Sequence, residues 1–328
     1  MADDTGIYKF GALVCGAFVL VAAATFSLES DSGAPSAPRR AAPVQVESAL
    51  TSAKAARTPG GALVCTPQGG TRPLGDDAHE TSGVAVSAAH AGIFWTHNDS
   101  GDPLLYAVDA QGRTTGTVRV TGARVQDWED IARAPCPGSG CLFVADIGDN
   151  QAARPFVTVY RVREPAPGDT ASAAVEAIRL RYPDGAHDAE AMFVLNGAIH
   201  LVTKGETGPI AVYRAPVGAG AGPPSTLERI RNVTPDKVKR SERITGADAS
   251  PDGHWVAMRT LDHVVVYAAA ELAGSAPLAP RRVSVKALGE KQGEGIGFTP
   301  DGSLVLTSEG GKKEDPATFA RLGCTAAS

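Results

Sequence analysis

Carboxylates recur in this chain at long, fairly regular spacing, each set just ahead of a short apolar run. The clearest copy is Asp127-Trp128-Glu129-Asp130-Ile131-Ala132. It returns as His187-Asp188-Ala189-Glu190-Ala191-Met192-Phe193 and as Gln292-Gly293-Glu294-Gly295-Ile296-Gly297-Phe298. Looser copies are Glu80-Thr81-Ser82-Gly83-Val84 and Thr245-Gly246-Ala247-Asp248-Ala249. The anchors Glu80, Glu129, Glu190, Asp248 and Glu294 lie 49, 61, 58 and 46 residues apart. Carboxylates brought to one place repel one another, so their pKa values rise or a cation settles among them. Oxygen donors of this kind, with amides and water, suit Ca²⁺, which takes six to eight oxygen ligands.

A ring of repeated β units would bring residues so far apart to one place. The period is long and every repeat reads as short strands divided by turns, which predicts an all-β fold, a five-bladed β-propeller with one anchor per blade. A six-bladed ring is the alternative, with the extra blade hidden in a long gap such as Glu129 to Glu190. β-Branched residues and period-two alternation mark the strands. Ser82 to Ser87 begins the first blade and Phe156 to Val162 is the third strand of the second. Ala173 to Tyr182 is that blade's outer strand, Thr226 to Val233 that of the third and Arg282 to Val285 that of the fourth. The turns Asn196-Gly197, Pro251-Asp252-Gly253 and Pro300-Asp301-Gly302 join first and second strands. The fifth blade runs short. It is completed if Ala62 to Val64 pairs beside Phe319 to Leu322, which closes the ring with N- and C-terminal strands together.

In such a blade the residues before the inner strand and those ending the second strand share one rim. The second-strand ends carry His97-Asn98-Asp99, Asp146-Ile147-Gly148-Asp149-Asn150, Lys204-Gly205-Glu206, Arg259 and Glu309-Gly310-Gly311-Lys312. The candidate metal ligands are Glu129, Asp146, Glu190, Asp248 and Glu294. Asn98, Asp99, Asn150 and Glu309 are candidate ligand-binding groups, and Lys204 and Arg259 are candidate anion-binding cations. His97 and Asp149 are candidate acid–base residues. A structural role competes with these, since carboxylates at strand starts also cap backbone N–H groups, and Trp128 reads as a packing wedge. No Gly-x-Ser-x-Gly elbow and no phosphate-binding Gly-x-x-x-x-Gly-Lys loop is present.

A net charge of -5 and the lack of an arginine–lysine stripe give no reason to expect a nucleic-acid partner. Residues 10–28 carry no charge and are about long enough to span a bilayer. Residues 1–28 therefore read as a signal peptide or a membrane anchor. Residues 29–60, rich in Ser, Ala and Pro, read as a flexible linker, and residues 61–328 as the propeller. The protein is expected to be secreted, or anchored with the propeller outside the cytoplasm and touching the membrane only through its N-terminal segment. Four cysteines in the propeller allow three pairings. Cys136 with Cys141 and Cys65 with Cys324 is the pairing that fits a closed ring, and export to an oxidising compartment favours it. Four reduced, buried thiols are the alternative.

The runs Asn98-Asp99-Ser100-Gly101, Asp127-Trp128-Glu129-Asp130-Ile131, Asp146-Ile147-Gly148-Asp149-Asn150 and Asp188-Ala189-Glu190-Ala191 resemble exported bacterial propeller proteins described as WD40-like. They are distantly similar to the phytase-like and esterase-like propeller group, over most of residues 78–310. In that group rim carboxylates commonly hold calcium and some members hydrolyse phosphate esters. The resemblance implies calcium ligation by Glu129, Asp146, Glu190 and Glu294. Basic residues that would line a polyphosphate site are limited to Lys204, Arg259 and Lys312.

Two functional readings follow. In the first, the exported propeller binds a divalent cation or a small ligand, or a protein, at its acidic rim. In the second, it is a metal-assisted hydrolase of phosphate or carboxylic esters, with Asp149 or His97 as base and Lys204 and Arg259 holding the anion.

Overall fold

Five antiparallel sheets follow one another along the chain, each built outward from an inner strand whose neighbours are the inner strands of the adjoining sheets. The computed structural model describes residues 63–136, 139–220, 222–311 and 315–326. The expected signal or anchor, the linker and Lys312 lie outside the described residues. Among the described residues no helix is long and apolar enough to cross a membrane.

Blade 1 consists of Thr81–Val86, Ile93–Asn98, Leu104–Asp109 and Thr114–Arg119. Blade 2 consists of Trp128–Cys136, Ser139–Asp146, Val157–Arg163 and Glu176–Arg181. Blade 3 has Ala189–Leu195, Ala198–Thr203, Ala211–Pro216 and Glu228–Asn232. Blade 4 has Ile244–Ala249, Trp255–Thr260, His263–Ala268 and Arg281–Ser284. Blade 5 has Gln292–Phe298, Leu304–Glu309 and Thr318–Ala326, and the N-terminal strand Leu63–Pro67 completes it. The ring is five-bladed, as the anchor spacing predicts, and no sixth blade occupies the Glu129–Glu190 interval. That interval instead holds blade 2's long second hairpin. Its edge takes up a two-residue parallel strand, Ser225–Thr226, from the chain leading to blade 3's outer strand.

The seam is covalent. Cys65 faces Cys324 in register, and the two form a disulfide across 259 residues of sequence. A loop of that length gives about 5 kcal/mol in the chain-entropy estimate, because the crosslink removes freedom from the unfolded chain. Cys136 and Cys141 form the second disulfide at the tip of blade 2's first hairpin.

Side chains from facing sheets fill the gaps between blades. Trp95, Leu105, Trp128, Ile131 and Leu142 are fully buried together between blades 1 and 2. Met192, Ile199, Leu201 and Tyr213 pack with Phe143 and Val159 between blades 2 and 3. Trp128 is the wedge expected, its indole Nε1 donating to the Arg124 carbonyl at 2.9 Å.

Along the axis, two buried carboxyls tie inner strands together. Asp130 accepts from the backbone N–H groups of Ile131 (2.8 Å), Met192 (2.8 Å) and Ala247 (3.1 Å), joining blades 2, 3 and 4. Asp248 accepts from Ala249 (2.8 Å) and Phe298 (2.8 Å), joining blades 4 and 5. Each inner strand also carries a bulge near its start. The shifts fall at Thr81/Val84, Trp128/Asp130, Ala189/Ala191, Ile244/Gly246 and Gly293/Ile296. A bulge re-aims the extra side chain out of the pleat. The extra residues are Glu129 and Glu190 in blades 2 and 3 and Glu294-Gly295 in blade 5, but Thr245 in blade 4 and Ser82-Gly83 in blade 1. The anchors Asp248 and Glu80 are therefore out of step with the other three. Glu80 precedes its strand, and Asp248 lies deeper along the axis.

Candidate functional site at the axial rim

Bulges at the starts of three inner strands deliver Glu129, Glu190 and Glu294 to one end of the axis, each nearly buried. Burial pushes the Glu129 carboxyl well above the usual carboxylate range, and Glu190, Asp127 and Glu294 add to the rise. Glu294 is likewise raised well above, by burial and then by Glu190 and Glu309. Its Oε2 is buried without a hydrogen-bond partner. Burial raises Glu190 to about 7, held from going further by Lys204. Lys204 ends blade 3's second strand and places its Nζ 2.5 Å from Glu190 Oε1 and 3.5 Å from Asp188 Oδ2. The same acids hold its own pKa above the lysine range, against the opposing effect of burial. Gly148 lets the second blade approach this cluster. A Cβ there would lie 2.3 Å from Glu129 Oε1 and 2.4 Å from Asp127 Oδ2.

Beside the cluster a cavity of about 160 Å³ opens between blades 3, 4 and 5. Glu190, Lys204, Thr245, Gln292 and Glu294 line it, with Arg240, Arg243 and Leu261 on the blade 4 side. The fold thus gives one pocket two carboxyls raised by burial, Glu294 well above the usual carboxylate range and Glu190 to about 7. In the sequence Arg240 reads as part of a short solvated basic loop, Lys237-Val238-Lys239-Arg240, and no pattern marks Arg243, Thr245 or Gln292 as site residues. Arg240 and Arg243 lie in the connection before blade 4, where only ring closure shows that they face blade 5's bulge.

The other candidates have separate placements. Asn150 donates to Asp127 Oδ2 (3.4 Å) and accepts from Lys204 (3.4 Å), at the edge of the cluster. Glu309 accepts from Gln292 Nε2 at 2.8 Å, and burial followed by Asp99 and Glu80 lifts it to about 7. Asp99 is raised by burial and by Glu80, while Asn98 Nδ2 donates to the Asp77 carbonyl at 2.9 Å. Asp146 is paired with Arg154 at 2.9 Å and accepts the Asp127 N–H at 3.2 Å. Asp149 caps its own loop, accepting from Ala153 (3.0 Å) and Arg154 (2.7 Å).

Two candidates lie inside the protein. His97 is fully buried, edge-on to Trp128 at 5.5 Å, and burial pushes it down to about 4, so it is neutral at physiological pH. Arg259 is also fully buried. It pairs with Glu290 and donates to the carbonyls of Gly295 (2.8 Å) and Thr307 (2.7 Å). Strand alternation explains both. One residue's difference in register turns a side chain from the open face to the packed one.

These placements do not make a calcium shell. Asp146 and Asp248 are committed to an arginine and to backbone N–H groups. Among the remaining acids the Lys204 ammonium already stands against Glu190 and Asp188. Among the described residues no group of three or more His, Cys, Asp or Glu is arranged to hold a metal ion.

No protein-family model matches the chain, and no curated protein matches it. Solved structures do match. The PQQ-bound aldose sugar dehydrogenase of Streptomyces coelicolor aligns over 80% of this chain and 98% of its own, at 11% identity and a TM-score of 0.50. Regucalcin of Agrobacterium tumefaciens, a calcium-binding protein, aligns over 78% and 94%, at 16% identity and a TM-score of 0.44. The gluconolactonase XC5397 of Xanthomonas campestris aligns over 75% and 72%, at 15% identity and 0.43. At such identities the first of these shares the fold and no more. The expected resemblance is upheld at the level of a β-propeller.

Proposed function

We propose that the axial pocket binds a small polar organic molecule and acts on it by proton transfer, as a hydrolase of carboxylic esters. One observation carries this reading. Glu190 and Glu294 line the same cavity, Glu190 raised to about 7 with the Lys204 ammonium against it, and Glu294 raised well above the usual carboxylate range with its Oε2 unpartnered. Acid–base pairs are recognised by two titratable groups whose surroundings push their pKa values apart.

Glu190 takes a proton from a water molecule, and the hydroxide adds to the ester carbonyl. The carbon–oxygen bond to the leaving alkoxide then breaks, and the leaving oxygen receives the proton of Glu294. Lys204 keeps Glu190 ionisable and lies close enough to offset charge that develops on the carbonyl oxygen. Gln292 and Thr245 supply hydrogen bonds for the bound molecule.

Export is part of the proposal. Two disulfides and the apolar stretch at residues 10–28 support a propeller that works outside the cytoplasm.

The test is hydrolysis of 4-nitrophenyl acetate by the full chain, with Glu190→Gln and Glu294→Gln beside it. General acid–base residues contribute about 10²- to 10⁴-fold. Each variant is expected to lose about 100-fold or more in kcat with its fold intact. Wild-type turnover that both variants retain would overturn the assignment.

A further inference from the structure

The pocket is not acidic all round. Its blade 4 wall carries Arg240 and Arg243, in the 3-10 turn and extended residue that lead into Ile244–Ala249. Neither arginine is used up by the pocket's acids. Arg240 is exposed, and among the described residues its guanidinium has no ion-pair partner within 4.0 Å. Arg243 pairs through Nη2 with Glu206 at 2.7 Å, and its Nε is buried without a hydrogen-bond partner. The one acid in this segment, Glu242, is engaged elsewhere, with Lys239 at 3.9 Å and Arg282 at 3.6 Å. Across the cavity, burial raises the Glu294 carboxyl well above the usual carboxylate range, and Glu190 is matched by Lys204. Two cations with donor capacity to spare therefore face acids whose charge is suppressed or already offset.

We propose that Arg240 and Arg243 recognise an anionic group, a carboxylate or a phosphate, on the substrate, so that the ester cleaved is one that carries a negative charge at its far end. The guanidinium fork matches both anions bidentately. The site then holds the substrate at two points. The anion lies on the blade 4 wall and the ester lies between Glu190 and Glu294, which fixes which bond meets the acid–base pair. The position of the ester rests on the hydrolase reading, whereas the anion site does not.

Calorimetry at fixed ionic strength separates the two. The full chain is titrated with succinate, with inorganic phosphate and with neutral succinamide, as wild type, Arg240→Gln and Arg243→Lys. Arg240 is exposed, so its loss leaves packing untouched. Arg243→Lys keeps the charge opposite Glu206 but removes the fork. Succinate or phosphate is expected to bind, succinamide is not, and Arg240→Gln is expected to weaken the anion about tenfold or more. Whichever anion binds more tightly identifies the group. Binding of anions no tighter than succinamide, or unchanged in both variants, would overturn the proposal.

Rates for 4-nitrophenyl acetate against the 4-nitrophenyl half-ester of succinate complete the comparison. Equal kcat/KM for the two esters would reject the anion site and leave the hydrolase reading standing. Anion binding that Arg240→Gln abolishes, with neither ester cleaved, would uphold the anion site and reject the hydrolase reading.

Discussion

Replacing Lys204 by methionine removes the cation that keeps Glu190 ionisable while preserving most of the side chain's bulk. The ammonium stands 2.5 Å from Glu190 Oε1 and 3.5 Å from Asp188 Oδ2, with less than a fifth of its side chain exposed. A pair at about 4 Å in a medium of effective dielectric ~20 interacts by roughly 4 kcal/mol. At about 1.36 kcal/mol per pKa unit, that corresponds to about 3 units. Opposite charges this close shift a carboxyl by about 1 to 3 units in general. Glu190, at about 7 with the lysine present, is therefore expected to titrate between about 8 and 10 in Lys204→Met. The assay is carbon NMR of protein labelled at the glutamate carboxyl, with Glu190→Gln identifying the resonance. The alkaline displacement of this midpoint should appear equally in the pH dependence of ester hydrolysis. A midpoint that stays where it was, or moves down, would refute the view that Lys204 is the internal counter-ion of the rim.

Stability should fall as pH rises from about 5 to about 7.5. Glu129, Glu190, Asp248, Glu294 and Glu309 all have raised folded pKa values, so the stability tied to their protonated forms is full below the ordinary carboxyl range and is lost as pH climbs through their folded values, about 7 for Glu190, Asp248 and Glu309. His97 and His200 are depressed to about 4 and act oppositely, losing stability as pH falls from 6.5 to about 4, but they are outnumbered in the shared window. Urea midpoints at the two pH values check this, and a higher midpoint at the alkaline end would contradict it. Asp130→Ala leaves the N–H groups of Ile131, Met192 and Ala247 buried without an acceptor. At about 1–3 kcal/mol for each orphaned group, the loss should be about 3 kcal/mol or more, and Asp130→Asn should recover part of it. Urea denaturation measures both, and a loss below about 1 kcal/mol would show that Asp130 is no axial tie.

Ring architecture was legible in the chain because it is carried by spacing. The turns Asn196-Gly197 and Pro251-Asp252-Gly253, the incomplete fifth blade and the positions of Cys65 and Cys324 all point to one closure. Glu129, Glu190 and Glu294 were legible for the same reason, as acids repeated ahead of apolar strands. Blades 1 and 4 were not, because a bulge is a property of the backbone. It accepts Thr245 or Ser82-Gly83 where another blade places a glutamate, so matching acids by type selected Asp248 and Glu80 instead. Arg259 and His97 show a second limit. Each ends or nearly ends a second strand, but the pleat turns both side chains into the protein, and only the register reveals that. The arginine wall of the pocket was hidden for a third reason. Arg240 and Arg243 line one cavity with Glu294 across a blade boundary, a proximity that no local pattern encodes.

Glu190 and Glu294 share a pocket, and the proposed chemistry requires them to differ in protonation. Neutron diffraction from deuterated crystals at pH 7.5 tests that difference most directly. A deuteron is expected on the Glu294 carboxyl, with Glu190 largely bare beside the fully deuterated Lys204 ammonium. Two bare carboxylates would overturn the assignment of Glu294 as the acid.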